Sequence, residues 1–399
     1  MVMARGLPIY LDYAATTPLD PRVLEAMLPS LTGDFGNAAS RSHAYGWRAE
    51  ALVKGARETL ARALGGEAKE IVFTSGATES DNLALIGAVR AARAAGAVGA
   101  AGERGNHVVT SQLEHSAVLD AARQLELEGF RVTYFPPDRD GVMGAGAVAE
   151  AIGPETVLVS IMTANNETGT LNPVAEIGRV CRERNVLFHT DAVQAFGKVP
   201  FDVSAFPVDM VSISAHKICG PKGIGALWVR AGAPRVRLSP LTYGGGHERG
   251  LRSGTLNVPA IVGFAAAARL ALESREEESR RVAMLRDQLQ ASILEAVPDA
   301  ILNGHPERRL PGTLNLAFPD VDGDRLFLEL RGLAVSPGAA CSSASLEPSH
   351  VLLALGRPPA LARASIRFSL GRFTTRQEVD AAAGQVIAAV KKLRAGQRP

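Results

Sequence analysis

Chemistry in this chain concentrates where apolar, β-prone runs stop. The densest case is the run Val208-Asp209-Met210-Val211-Ser212-Ile213, followed by Ser214-Ala215-His216-Lys217-Ile218-Cys219-Gly220-Pro221-Lys222-Gly223-Ile224-Gly225. Small residues and Gly/Pro turn chemistry place Lys217 at a strand end, where one side chain can be aimed into a cleft. A lysine so placed can form a Schiff base with the aldehyde of pyridoxal phosphate, provided its amine sheds the proton that a free lysine holds up to pH ~10.4. A surface loop lysine explains this stretch equally well. Other strand ends supply what such a cofactor would need. Ile71–Thr74 runs into Ser75-Gly76-Ala77-Thr78-Glu79-Ser80, a helix start able to seat a phosphate or simply to be capped. Val108–Thr110 leads to His115, which could lie on an aromatic ring and shuttle protons, or be a hydrogen-bonded buried histidine. Val157–Met162 leads to Asn165-Asn166-Glu167, able to bind a cofactor hydroxyl or a substrate carboxylate, or to form an Asx turn.

After Val186–Phe188 comes His189-Thr190-Asp191-Ala192-Val193-Gln194. A carboxylate after an apolar strand is costly to bury unless paired. A protonated pyridine nitrogen is a fitting partner for Asp191, and Gln194 could meet the ring hydroxyl. Ser214 and His216 fall beside the phosphate. Phosphate seat, ring stacker, acid partner and lysine thus follow one another at strand ends. His43, His115, His189 and His216 lack short ligand spacing, which speaks against a metal site. Toward the end of the chain, Cys341 sits in the small-residue stretch Ala334–Ser345, a place for a nucleophile that must travel. Cys219 and Cys181 read as buried thiols. Arg367, inside Ser365–Ser369, could fork onto a substrate α-carboxylate or serve a structural ion pair.

The elements that must position these residues alternate. Strands at Ile71–Thr74, Val108–Thr110, Arg131–Phe135, Val157–Met162, Val186–His189 and around Lys217 are separated by helical patterns at Thr78–Arg93, Ser116–Glu128 and Val174–Arg184. This order predicts an α/β fold: a mostly parallel central sheet with helices on both faces and sites at the carboxyl ends of strands. Helices are also expected over Pro21–Leu31 and Ala44–Leu64, and the Ala/Gly-rich stretch Ala91–Asn106 reads as a surface extension. A long helix, about Pro259–Glu295, leads to a smaller α/β unit with strands Thr313–Ala317 and Ser365–Ser369 and helices Gly323–Arg331 and Arg376–Leu393. The expected division is 17–264 as the large cofactor-binding domain, with 1–16 and 265–399 as the small one. The 399 residues carry 43 basic and 41 acidic side chains, a net charge of +2 that demands neither nucleic acid nor a membrane surface. The start lacks the apolar stretch of a signal peptide, and no apolar run is long enough to span a bilayer. Three cysteines without framework spacing point to a reducing, cytoplasmic setting.

With these residues assembled, the chain resembles the cysteine desulfurases, within the class V aminotransferase group of fold type I pyridoxal phosphate enzymes. The resemblance runs through TSGATESDN, NNETG, HTDAVQAFGK, SAHKICGPKGIGALWV, YGGGHERGLRSGTLN, CSSASLEPS and SIRFSLGRFT. The cysteine loop with LEPS resembles the long-loop branch that supplies sulfur for iron–sulfur clusters and thiolated tRNA. The resemblance implies Lys217 as Schiff-base lysine, His115 as ring stacker and acid/base, Asp191 at the pyridine nitrogen and Gln194 at the ring hydroxyl. It places Ala77, Thr78, Ser214 and His216 on the phosphate, with Thr255 reaching in from the other subunit of a homodimer. Asn166, counted also among the cofactor contacts, Asn37 and Arg367 would meet the substrate, L-cysteine. Cys341 would take the sulfur as a persulfide and could transiently ligate an iron–sulfur cluster, and sulfur-acceptor or scaffold proteins would be the partners. Ala215 stands where the family pattern has glycine, and Asn37-Ala38-Ala39-Ser40 lacks the usual proline. Rival readings are an aminotransferase, a kynureninase or a selenocysteine lyase on the same cofactor, and a catalytically silent sulfur carrier or cluster scaffold.

Overall fold

Strands buried on both faces read as unbroken apolar runs, and such runs form one seven-stranded sheet here. The computed structural model describes residues 6–96, 105–232, 236–337 and 347–396. A short β1 (Ile9–Tyr10) precedes α1 (Pro21–Thr32) and α2 (Ala44–Leu64). Next, β2 (Ile71–Thr74) enters α3 (Ala77–Asn82), a π turn (Leu83–Gly87) and α4 (Ala88–Ala94). Then come β3 (His107–Ser111), α5 (Ser116–Leu127), β4 (Arg131–Phe135), α6 (Ala145–Ala151), β5 (Thr156–Ser160) and α7 (Val174–Glu183). The strands β6 (Leu187–Asp191), β7 (Met210–Ser214) and β8 (Gly225–Val229) complete the sheet, in the order β2-β8-β7-β6-β5-β3-β4. From β7 to β4 all pairings are parallel; β8 alone runs against both its neighbours. The carboxyl ends of β2, β3, β5, β6 and β7 therefore open on one edge.

The 39-residue α8 (Val258–Ala296) joins two hydrophobic cores: Val258 to Ala271 pack into the first, Val282 to Ile293 into the second. The second core lies under a sheet of order β12-β13-β10-β9, made of β9 (Ile301–Leu302), β10 (Thr313–Ala317), β12 (Ser336–Pro337) and β13 (Ser365–Ser369). Between them run α9 (Gly323–Glu329), β11 (Leu333–Ala334), α10 (His350–Ala354) and α11 (Pro359–Arg363); α12 (Arg376–Ala395) ends the described chain. The first strand belongs to this end of the molecule: Ile9 pairs with Leu333 and Tyr10 with Ala334.

Most expected elements are present within a residue or two. The helix expected over Thr78–Arg93 is interrupted by its π turn, and α6, an Ala/Gly segment without strong period, was not anticipated. Of the Ala91–Asn106 stretch, 97–104 lie outside the described residues. Ala215 needs no glycine, since its backbone stays out of the left-handed region, and Gly220 opposite it leaves room for its methyl. No helix among the described residues is long and apolar enough to cross a membrane, and no metal-ligand cluster occurs among them.

Under the strand ends the fold buries acids. Glu248 accepts a two-pronged bond from Arg57 at 2.8 and 2.6 Å and a third from the Phe73 N–H at 2.8 Å, which anchors the glycine-rich segment 243–256 to β2. Glu114 accepts from the Ser111 hydroxyl at 2.7 Å and the Met162 N–H at 3.0 Å, yet burial pushes its carboxyl from 4.5 up to about 8. Removing Glu248 would strand a largely buried guanidinium, so Glu248→Ala is expected to cost about 3–5 kcal/mol, read from the denaturation midpoint. Native Glu114 keeps a proton that the unfolded chain releases above pH 4.5, so its contribution falls as pH rises through about 8. The unfolding free energy of Glu114→Gln relative to the parent should therefore climb by about 1.4 kcal/mol per pH unit between pH 4.5 and about 8; a constant difference would mean that native Glu114 is ionised throughout.

Candidate active site

The strand ends gather their side chains around one cleft of about 510 Å³. Beyond β7 the chain makes a single 3₁₀ turn, Ala215–Lys217, and Cys219 takes a left-handed backbone at φ 62° to reverse direction. Segment 14–20 clasps this turn. The Thr17 N–H and hydroxyl donate to His216 O at 3.0 and 2.8 Å, and the Cys219 N–H donates to the Thr17 hydroxyl oxygen at 2.8 Å. Lys217 Nζ donates to the carbonyls of Ala14 at 2.6 Å and Ala15 at 2.7 Å. Its amine is thereby held at the cleft wall by backbone oxygens of the N-terminal segment.

Asp191 ends β6; its Oδ1 accepts from the Val193 N–H at 2.8 Å. Burial raises its pKa, while His115 and Lys217 pull it back. Two residues earlier on the same face, His189 is pinned between the hydroxyls of Ser160 (2.9 Å) and Ser212 (3.0 Å), and burial drives its pKa down to about 3. A neutral His189 makes a scaffold rather than a proton carrier. His115 is the N-cap of α5: Nδ1 accepts from the Ala117 N–H at 3.1 Å, which puts the proton of the neutral ring on Nε2. Arg367, fully buried on β13, reaches across from the small sheet. It donates to Asp12 Oδ1 at 2.8 Å and to Asn166 O at 3.0 Å.

Ala77, Thr78, His115, Asn166, Asp191, Gln194, Ser214, His216, Lys217 and Arg367 all line this cleft. Asn37 does not: it is exposed, and its Oδ1 accepts from the Ala39 N–H in an Asx turn. Thr255 is exposed on segment 243–256 and also lies outside the cleft of a single chain. Cys341 lies outside the described residues. Sequence reasoning missed Ala14, Ala15 and Thr16, whose contribution is backbone and whose signal was a turn after a short strand; it also missed Lys222.

Whether these residues suit a phosphorylated pyridine can be judged from polar atoms left over. Ser214 Oγ is buried and has no hydrogen-bond partner among the described residues, and the same holds for Arg367 Nε. Both belong to cleft residues, one beside the α3 start and one across from it. A donor left at each end suits an anion at each end, and a buried carboxylate lies between them. The set fits pyridoxal phosphate with an amino-acid substrate.

Known proteins agree with this geometry. The family model described as aminotransferase class-V matches residues 9–382. Cysteine desulfurase IscS of Anaeromyxobacter dehalogenans is 55% identical over 388 residues, covering 97% of this chain and 94% of that relative. The cysteine desulfurase of Mus musculus is 50% identical over 387 residues, covering 97% and 82%. Among solved structures, a NifS-like protein superposes with a TM-score of 0.88 at 38% identity, covering 97% of this chain and 100% of that one. SspA in complex with cysteine gives 0.78 at 39% identity, covering 92% and 99%. The architecture is that of the fold type I enzymes, and the chain belongs to the aminotransferase class-V family and, within it, to the cysteine desulfurases.

Proposed function

We propose that this chain converts L-cysteine to L-alanine and retains the sulfur as a persulfide on Cys341, with pyridoxal phosphate in the cleft. The observation that carries this reading is the convergence of Lys217, Asp191, His115, Ser214 and Arg367 on one space, with Ser214 Oγ and Arg367 Nε lacking hydrogen-bond partners among the described residues. Ala77, Thr78, Ser214 and His216 would hold the phosphate, His115 would stack on the ring, and Gln194 would meet the ring oxygen. Asp191 would keep a proton on the ring nitrogen. When bound, the group supplies an electron sink for the pair released at the substrate α-carbon.

The chain's own residues then have defined tasks. Arg367, with Asn166, holds the substrate carboxylate. Lys217, as a free amine, takes the α-proton; the carbonyls of Ala14 and Ala15 are placed to receive the ammonium that results. His115, whose Nε2 carries the proton in the neutral ring, handles the thiol proton. The Cys341 thiolate attacks the substrate sulfur: a sulfur–sulfur bond forms, the carbon–sulfur bond breaks, and the carbon takes a proton to give alanine. Cysteine and one thiol become alanine and one persulfide, so no outside oxidant is consumed. The persulfide then passes to acceptor or scaffold proteins for iron–sulfur clusters and tRNA thiolation, as in the long-loop branch. Residues 17–264 would form the cofactor-holding unit, and 1–16 with 265–399 the unit presenting Arg367 and the cysteine loop. Cys181 and Cys219 are free and buried, which supports a reducing, cytoplasmic setting.

A homodimer fits the exposed apolar side chains of Leu24, Leu28, Leu31, Phe35, Tyr45 and Trp47, and the exposed Tyr243 on the segment that carries Thr255. Sedimentation should give twice the chain mass of 41.9 kDa. The deciding experiment is visible absorbance before and after cysteine, with alanine and sulfide assayed. Cys341→Ala is expected to keep the bound cofactor yet release no sulfide; parent-rate sulfide release would remove Cys341 from its role. Lys217→Ala should lose turnover altogether. Arg367→Lys, which replaces a fork with a point charge, should lower kcat/KM for cysteine by about a hundredfold, mainly through KM.

A further inference from the structure

A second lysine stands behind the first. The turn after β6 carries Lys198, whose Nζ donates to Gln194 Oε1 at 3.1 Å. The same amide donates from Nε2 to Ala14 O at 2.9 Å, and Ala14 O is also the acceptor for Lys217 Nζ at 2.6 Å. Lys198, Gln194, Ala14 and Lys217 are thus joined in one hydrogen-bonded chain. Gln194, Ala14 and Lys217 form the wall between the cleft and a small separate cavity of about 50 Å³ at the junction of the two cores, and Lys198 lies on the far side of that wall. Lys198 touches neither the cleft nor anything bound in it.

An amide side chain can present either end, and its two ends are nearly isosteric. Here it is held between a group that only donates and a group that only accepts. An ammonium has no lone pair, so the amide atom facing it is the oxygen; a backbone carbonyl has no proton, so the atom facing it is the nitrogen. Both neighbours select the same orientation, and the second N–H of Gln194 has no partner among the described residues. Burial, and then the charge of Lys217, bring the pKa of Lys198 down to about 7. Arg367 pushes in the same direction, while Cys219 and Glu278 oppose it; Tyr13 and Arg372 line the same cavity.

We propose that Lys198 is a positioning residue: from the inter-core side it locks the Gln194 amide with its N–H donors turned to Ala14 and to the ring oxygen of the bound cofactor. This rests on the pyridoxal phosphate reading of the cleft. Without the ammonium, Gln194 can turn its carbonyl toward an oxygen that is itself an acceptor, and the contact becomes repulsive. The lock weakens as Lys198 loses its proton, so cofactor affinity carries a step near neutrality.

The test measures the affinity of apoprotein for pyridoxal phosphate from about pH 6 to about pH 9, for the parent, Lys198→Met and Lys198→Arg, with the melting temperature of each apoprotein as a control for folding. Lys198→Met, similar in length but without a donor, is expected to bind about tenfold more weakly and to lose the step near neutrality. Lys198→Arg, permanently charged, is expected to restore affinity without the step. Parent-like affinity and pH profile in Lys198→Met would overturn the proposal, as would equal losses in the Met and Arg variants with melting temperatures unchanged. If the parent takes up no pyridoxal phosphate at any pH, the cofactor reading itself falls, and this proposal with it.

Discussion

Charge buried at strand ends governs this structure. Asp81, Glu114, Glu167 and Asp191 are all buried beneath one edge of the sheet, and burial raises the pKa of each. An ionised carboxyl in such a place needs positive charge within a few ångströms. Asp191 has Lys217 and His115 as its favourable neighbours. Asp81, whose oxygens have no well-formed hydrogen bond among the described residues, instead lies against neutral His189 at 3.6 Å and beside Asp191, and its pKa is raised by both burial and that neighbour, against a smaller lowering from Ser212. Like charges so close cannot both ionise cheaply, so Asp81 is the member that keeps its proton and Asp191 the one left to face the cleft. A buried carboxyl with a lysine and a histidine beside it is a ready counterpart for a cationic ring.

The second requirement is that distant parts of the chain arrive at the same point. Segment 14–20 closes over the Lys217 turn by five or so backbone and hydroxyl contacts, and Arg367 enters from another sheet to meet Asp12 and Asn166. Arg367 is the ion-pair partner its sequence position allowed, and its Nε has no hydrogen-bond partner among the described residues. Its fixed guanidinium plane makes that combination workable, since bonds along one edge leave the other directions defined.

How much could be read in advance follows from the same physics. A parallel strand buried on both faces is apolar throughout, so the first polar residues after it mark its tip; that is why Thr78, His115, Asn166, Asp191 and Lys217 could be named together. Arg367 was visible because a charge inside an apolar strand needs a reason. The carbonyls of Ala14 and Ala15 could not be read, because their chemistry is backbone and every residue has it. Thr255 stays outside the cleft of one chain, as it must if its part depends on a second copy; Asn37 also stays outside, its side chain turned back onto the Ala39 N–H, against its expected place at the substrate. The π turn after Asn82 has no sequence signature, and α6 is too short and too rich in alanine and glycine to show a period.

The pairing of Ile9 and Tyr10 with Leu333 and Ala334 bears on how the polypeptide emerges during synthesis. Its first strand has no partner until more than three hundred residues have followed, and Asp12 waits longer still for Arg367. A continuous helix about 58 Å long, at 1.5 Å per residue, packs into both interiors, so a nascent chain cut short within it would hold the large sheet with an unfinished flank. The leading segment can close over the Lys217 turn once residue 219 is made, but its strand pairing and its ion pair must wait for β11 and β13.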